Sequence, residues 1–229
     1  MPLLFAVALV VESAAQDISK IDKNFEPQKI GNIEFCFYNA KNAPFKVEGL
    51  PWRKEGGKFS RLPKGITKEN ASAGVIGLCS HTSGVAVRFS TDSKMVAVKY
   101  MMRGSGDMGH MPRSGSSGFD LYVKGTDGKY SFLKNFHQRN LAEMGKVPYS
   151  EIGAKFGDSK MREYALYFPR YCGVKDVEIG VLPGAKIEPP KPHKVGKPIV
   201  FYGSSITQGG CASRPATVYT GKLCREVDA

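Results

Sequence analysis

The side chain best placed to do chemistry in this chain is Ser205, inside residues 198–214, PIVFYGSSITQGGCASR. A serine hydroxyl attacks an acyl carbon only under three conditions. A base must take its proton, a second group must orient that base, and N–H donors must face the oxyanion that forms. A serine on a tight turn just past a strand's carboxyl end brings one donor with it, its own backbone N–H. The glycines at 203, 209 and 210 read as room for a substrate to approach the backbone. The chemistry implied is acyl transfer through Ser205.

Such a turn needs elements to hold it. Residues 198–202 are a short apolar run without helical period, as in a buried strand of a parallel sheet. Beyond the turn, Ala216, Tyr219, Leu223 and Val227 repeat as the apolar face of a helix, with Pro215 in its first turn and Ser213 as its N-cap. Strand, turn, serine, loop and helix follow in the order a nucleophile site requires.

The stretch GSSITQGGCASRP resembles the first block of the SGNH (GDSL-type) esterase superfamily, whose G-D-S-like tripeptide carries the nucleophile in its third position, here Ser205. Ser204 stands where aspartate is usual. A second block, GFDLY at 118–122, resembles the G-x-D-L-Y signature of the β-rich domain that precedes the catalytic domain in one SGNH subfamily. Trp52, RLP at 61–63, SHTSGVAVRFSTD at 80–92 and GHMPRSGSSGFDLY at 109–122 supply matching context in family order, and the likeness runs from about residue 34 to the end.

The resemblance implies a secreted or periplasmic serine ester hydrolase that releases the acid from an acyl-enzyme on Ser205. Its first-choice substrate is an acetylated carbohydrate and its second a short-chain lipid ester. It also implies later blocks, a glycine and an asparagine for the oxyanion hole and a D-x-x-H for the dyad, which do not occur after Ser205 here. The run Asp107-Met108-Gly109-His110 spells D-x-x-H but precedes the nucleophile, so His110 is read as a substrate contact rather than the base. Arg214 is a second candidate contact by position. About thirty residues cannot bury an α/β core. The sequence is therefore expected to be the front part of a two-domain enzyme and to hydrolyse esters negligibly alone.

Composition sets the outer bounds. With 41% hydrophobic and 24% charged residues the chain falls in the soluble globular class, which excludes disorder and membrane-spanning architectures. The net charge of +12 comes from scattered lysines without a basic tract or nucleic-acid module, so a solvated basic surface is favoured and nucleic acid is not a predicted partner. Residues 1–15, MPLLFAVALVVESAA, read as a secretory signal cleaved before Gln16, too short to cross a bilayer. Cys36, Cys79, Cys172, Cys211 and Cys224 form no C-x-x-C pair, and no zinc or haem site is suggested. They read as small buried side chains, with a bridge from Cys36 or Cys79 to Cys172 left open.

Residues 25–189 read as mainly β, a jelly-roll-like β-sandwich, followed by a basic proline-rich linker at 190–197 and, over 198–229, the first strand, turn and helix of an α/β SGNH (flavodoxin-like) domain. Val85, Val87 and Phe89 alternate, as do Val96, Val98 and Tyr100, and residues 91–94 between them suggest a hairpin. Leu121 and Val123 lead through GTDGK to Tyr130 and Phe132, a second hairpin. Phe35 and Phe37 mark an early strand, and Val177, Ile179 and Val181 a late one. The glycine- and serine-rich loop 103–117 breaks this rhythm and is expected to reach over the catalytic cleft. His81 and His137 are read as hydrogen-bonded β-domain residues and His193 as a linker side chain. The alternative function is a non-catalytic carbohydrate-binding β-sandwich. A third reading is a structural module that buttresses a catalytic domain. Substrate identity and oligomeric state are not legible.

Overall fold

The computed structural model describes residues 27–54 and 56–229, so the apolar leader at 1–15 lies outside the described residues. Among the described residues, eleven strands make two antiparallel sheets. One sheet orders β1 (Gln28–Ile30), β2 (Ile33–Asn39), β10 (Val174–Val181), β5 (Met95–Met102) and β8 (Tyr149–Lys155). The other orders β11 (Ile187–Glu188), β4 (Ala86–Thr91), β9 (Arg162–Tyr167), β6 (Phe119–Lys124) and β7 (Tyr130–Phe136), with β3 (Lys46–Glu48) also paired to β4. The result is the mainly β sandwich that the alternation predicts.

Period-two alternation fills the space between the sheets. Val96, Val98, Tyr100 and Met102 of β5 meet Val87 and Phe89 of β4, Phe119 and Leu121 of β6, and Tyr164 and Leu166 of β9 in one core. The Tyr100 and Phe119 rings lie 4.6 Å apart, and Phe119 meets Phe168 edge-on at 5.1 Å. Met95 and Ala97 point the opposite way and pack with Phe35 and Phe37 on the outer face of the first sheet. The strands at Phe35, Phe37 and at 177–181 thus form as expected, as does the β6–β7 hairpin.

The expected hairpin between β4 and β5 does not form, because the two strands belong to different sheets. Residues 91–94 cross from one layer to the other and are pinned there by the connection between β10 and β11. The Thr91 hydroxyl donates to the Lys186 carbonyl (2.6 Å), and the Lys186 N–H donates to Asp92 (2.8 Å). The Leu182 N–H donates to the buried Ser93 hydroxyl (3.0 Å). Alternation identifies each strand, but both strands would alternate identically in either arrangement. All five cysteines are free, so no bridge joins Cys36 or Cys79 to Cys172, and only Cys172 is buried, with Cys211 exposed and the others half-buried because they lie outside the packed core. The Cys172 thiol instead donates to the Gly104 carbonyl at 3.0 Å.

Around the sandwich lie α1 (Ala73–Leu78), α2 (Arg113–Ser116), α3 (Ser205–Gln208), a 3-10 turn (Pro215–Thr217) and α4 (Tyr219–Val227). The expected continuous helix from Pro215 is therefore split, and its N-cap is Arg214, not Ser213. Residues 198–202 pair with no strand among the described residues. Val200 and Tyr202 are exposed there, since no parallel neighbour covers them.

The linker is strapped down rather than free. The Arg88 guanidinium, 3% exposed, donates to Glu48 (3.0 Å), to Glu163 (2.7 Å) and to the Lys191 carbonyl (2.7 Å). His193 Nε2 lies 2.7 Å from Arg88, and its Nδ1 lies 3.0 Å from Asp228, which also pairs with Lys124 at 3.3 Å. His193, read as a plain linker side chain, joins the sandwich to the end of α4. Burial pushes the Glu163 carboxyl up, but hydrogen bonds from Tyr130 and Arg88 more than offset it, so the net displacement is downward. Burial likewise opposes, and His193 and Lys124 outweigh it, at Asp228, which also lies below the usual range.

A carboxyl depressed on folding stabilises the native state above its unfolded pKa of about 4 and loses that contribution as pH falls through the folded value. Acidification from about pH 5 to pH 3 is therefore expected to lower the thermal midpoint. Asp228→Asn, which lacks that charge at every pH, is expected to show a shallower drop. Scanning calorimetry across that range checks it, and parallel profiles for the two proteins would remove this junction as the cause.

Candidate functional site

Ser205 is the first residue of α3, and Ser204 is its N-cap. The hydroxyl of Ser205 is exposed and makes no hydrogen bond among the described residues, and a first-turn N–H such as its own has no intrahelical acceptor. The helix lasts one turn because Gly209 follows in the left-handed region, φ +99°. The N–H groups of Gly209 (2.9 Å) and Gly210 (2.7 Å) turn back to the Ser205 carbonyl, which closes the turn on Ser205 itself.

The sandwich supplies the other partners of this turn. The Tyr171 hydroxyl donates to the Ser205 carbonyl at 3.0 Å. Ser83 donates to the Gln208 carbonyl at 2.7 Å, and Gln208 Nε2 donates to the Arg170 carbonyl at 3.0 Å. The same Nε2 faces His81 Nδ1 at 3.3 Å, a contact in which the amide donates and the imidazole accepts. Burial, with the nearby Arg61 charge, holds the His81 pKa below its ordinary value, which matches that accepting role.

Arg170 is the largest piece of this support. Its side chain is 1% exposed, and among the described residues no carboxylate lies within ion-pair distance of it. Nη1 donates to the Pro215 carbonyl and Nη2 to the Ala212 carbonyl, both at 2.7 Å. Burial lowers its pKa to about 10, a fall that nearby Asp120 opposes, and it stays charged near neutrality. The charge is held by backbone dipoles from the loop after Ser205, so the loop's path is tied to the sandwich.

Three glycines were read as openings for substrate, and the packing gives two of them another reason. A Cβ on Gly209 would overlap Arg170 and Val218, and one on Gly203 would overlap Thr207. The close approach there is intramolecular. Loop 103–117 reaches the segment after Ser205, since the Ser114 hydroxyl donates to the Ser213 carbonyl at 2.7 Å and a Cβ on Gly115 would overlap the Ala212 carbonyl. His110 is exposed on that loop with no hydrogen bond of its own among the described residues. Asp107 lies 3.8 Å from Arg113. Arg214 stacks over Phe132, 3.7 Å from the ring centre, and sits 3.9 Å from Asp120. The structure therefore brings Tyr171, Gln208, His81, Ser83 and Arg170 to the Ser205 turn, and sequence reasoning singled out none of them for it. Only Arg170 carried a signal, a lone cation in the apolar run YFPRYCGV.

Comparison with known proteins finds two family matches. Residues 35–187 match the family model described as the N-terminus of SGNH-hydrolase-type esterases, with a GxDLY signature. Residues 196–229 match the GDSL-like lipase/acylhydrolase family. Among solved structures, a Bacteroides ovatus protein named as a GDSL-like lipase is 28% identical over 83% of this chain and 53% of its own, with a TM-score of 0.71. A salicylyl-acyltransferase from a tetracycline biosynthetic pathway is 16% identical over 85% of this chain and 52% of its own, TM-score 0.60. A family two carbohydrate esterase from Cellvibrio japonicus is 10% identical over 85% of this chain and 50% of its own, TM-score 0.51. The last two share the fold alone. The chain spans about half the length of each of these structures. No curated protein matches.

Gly209→Ala places a Cβ in the left-handed region and against Arg170, so it is expected to cost about 1–3 kcal/mol and to expose 203–217 to proteases first. Limited proteolysis with mass mapping, alongside urea unfolding, checks both the size and the place of the effect.

Proposed function

Because this chain belongs to the SGNH-hydrolase-type esterases that carry the GxDLY domain, ester hydrolases at family level, we propose that Ser205 is the acylated nucleophile of a secreted carboxylic ester hydrolase acting on an acylated carbohydrate. The observation that carries the proposal is an exposed hydroxyl, without a hydrogen bond among the described residues, at the start of a one-turn helix whose first carbonyl, that of Ser205, accepts from Tyr171 of the sandwich. In the reaction, Ser205 Oγ would bond to the acyl carbon as its proton passes to a base, and the carbonyl electrons would move onto oxygen. The Ser205 N–H would stabilise that oxyanion. Collapse would expel the sugar alcohol, and water would then release the acid and restore the serine.

Base, orienting acid and remaining donors are assigned to the later blocks the family likeness implies. Residues 25–189, the linker 190–197 and the nucleophile segment 198–229 would then form the front of a two-domain enzyme. His110 and Arg214 remain the proposed substrate contacts. His110 is free to meet substrate, whereas Arg214 would have to leave Phe132 and Asp120 to do so. Carbohydrate is preferred to lipid as substrate, and the Cellvibrio relative, named a carbohydrate esterase, is in line with that choice.

Ester hydrolysis is expected from the in-frame gene product extended past Ala229, assayed on acetylated sugars and p-nitrophenyl acetate. Ser205→Ala is expected to lower kcat by at least about 10³-fold. Retention of activity in that variant would remove Ser205 from the reaction.

One observation favours the second reading, a carbohydrate-binding sandwich. An open cleft of about 540 Å³ is lined by Lys134, Asn135, His137, Arg139, Tyr149 and Glu151. Lys134 and Glu151 pair at 2.6 Å, and Tyr149 donates to Glu151 at 3.1 Å. His137 Nδ1 faces the Asn135 amide oxygen at 2.9 Å, while the Arg139 guanidinium makes no hydrogen bond or ion pair among the described residues. An aromatic ring beside polar groups suits a sugar better than an acyl chain. Calorimetric titration of the 229-residue chain with xylan- and glucan-derived oligosaccharides tests this. Tyr149→Ala is expected to weaken binding at least about 10-fold, and absence of any saturable binding would leave the sandwich a structural role.

A further inference from the structure

The GxDLY signature names the family, yet nothing in the nucleophile chemistry explains why those residues stand in the sandwich. The strand geometry does. In β6 the side chains alternate, so Phe119 and Leu121 enter the core between the sheets, both fully buried, while Asp120 and Tyr122 point to the outer face. That outer face is where the nucleophile segment lands. Ala216, 0% exposed, packs with Tyr122 and Ala165, and Arg225 of α4 lies 4.7 Å over the Tyr122 ring.

Asp120 is itself 0% exposed and is fixed from two sides. Asn135, its cross-strand neighbour on β7, donates Nδ2–H to Oδ1 at 2.8 Å. The backbone N–H of Ala216, in the 3-10 turn, donates to Oδ2 at 3.0 Å. Gly118 makes room for this arrangement, because a Cβ there would overlap the Ser114 carbonyl, which also accepts from Asn135 at 3.0 Å. Arg170 grips the same turn through the neighbouring carbonyls of Ala212 and Pro215. One side chain takes the segment's N–H, the other its C=O groups. The hold reaches the nucleophile through short steps, since Ala212 N–H bonds the Gly209 carbonyl and Gly209 N–H bonds the Ser205 carbonyl.

We infer that Asp120 of the GxDLY motif is a positioning residue for Ser205, fixing with Arg170 the path of residues 209–217 and so the orientation of the one-turn helix that presents the hydroxyl. The inference rests on the reading of Ser205 as nucleophile for its catalytic consequence, but the positioning itself is a property of this chain. A charge-assisted N–H to carboxylate bond is roughly twice as strong as a neutral one, and Asp120→Asn keeps the shape while it removes the charge and sets an amide N–H₂ against one of the two N–H donors, so the hold weakens at that point.

The test pairs two measurements on Asp120→Asn. In the 229-residue protein, hydrogen exchange followed by NMR is expected to be at least about 10-fold faster at the Ala216 amide, with Leu121 and Leu166 amides still protected. In the extended gene product, kcat is expected to fall at least about 10-fold with KM unchanged, while a Leu166→Val control of similar stability loss leaves kcat within twofold. Should Asp120→Asn not fold, Arg170→Met takes its place with the same expectations at 209–217, since its stem still fills the site and only the carbonyl contacts are lost. Unchanged exchange at Ala216 and 209–217, or unchanged kcat in a protein whose Ser205→Ala variant is dead, overturns the inference. Full activity in Ser205→Ala with faster exchange in Asp120→Asn would instead sink the nucleophile reading and keep the positioning.

Discussion

The arrangement of the nucleophile segment depends on a buried guanidinium. Arg170 has been taken out of water without a carboxylate to pair with it, and the cost of that desolvation is offset by two carbonyl oxygens at 2.7 Å. Both oxygens belong to the segment that follows Ser205. A shift of the segment that took those carbonyls away while the guanidinium stayed covered would leave a buried cation short of acceptors, a penalty larger than the net value of the two bonds. The contact thus works both ways: the loop takes its path from Arg170, and the buried charge of Arg170 is met by the loop's carbonyls. Gly209 and Gly115 are small for the same reason, because the Arg170 stem and the Ala212 carbonyl occupy the space a side chain would take.

A second attachment holds the other end of the segment by different physics. Around Arg88 the charges are matched, with Glu48 and Glu163 as partners and His193, Lys124 and Asp228 extending the network to the linker and the end of α4. Here the burial cost is met by ion pairs, so the junction responds to acid. At Arg170 the partners are backbone dipoles, which do not titrate. Between the two attachments lie residues 198–207, the part with the most exposed apolar surface, at Val200, Tyr202 and Ile206. The segment is tied at both ends and least covered where Ser205 stands.

Much of this was legible in the sequence, and what was not has identifiable causes. Strand positions follow from alternation, and the turn at Ser205 follows from glycine and serine chemistry. The pairing of β4 was not legible, because a hairpin and a crossover between layers give the same alternating pattern and only the bonds from Thr91, Asp92 and Ser93 to the 182–187 connection decide it. The strand expected at 198–202 depends on partners in space, which an apolar run cannot announce. Tyr171, Gln208 and His81 were missed at the site because each is an ordinary residue brought there by a contact 34 to 127 positions away.

The motif GFDLY shows how a signature can be visible before its purpose is. Alternation alone assigns Phe119 and Leu121 to the core and turns Asp120 outward, and an outward carboxylate in a sandwich ordinarily means a solvated surface. Full burial of Asp120 contradicts that default and requires that something lie on the outer face of the sheet. Burial raises its pKa even against the hydrogen bonds of Asn135 and Ala216 and the charges of Arg214 and Arg170. A carboxylate so placed is costly to stability unless its partners are retained, which argues that the position is kept for what it orients. What it orients is the turn at residues 215–217, tied through 209–212 to the Ser205 helix, so the same alternating strand serves the core with one face and the Ser205 segment with the other.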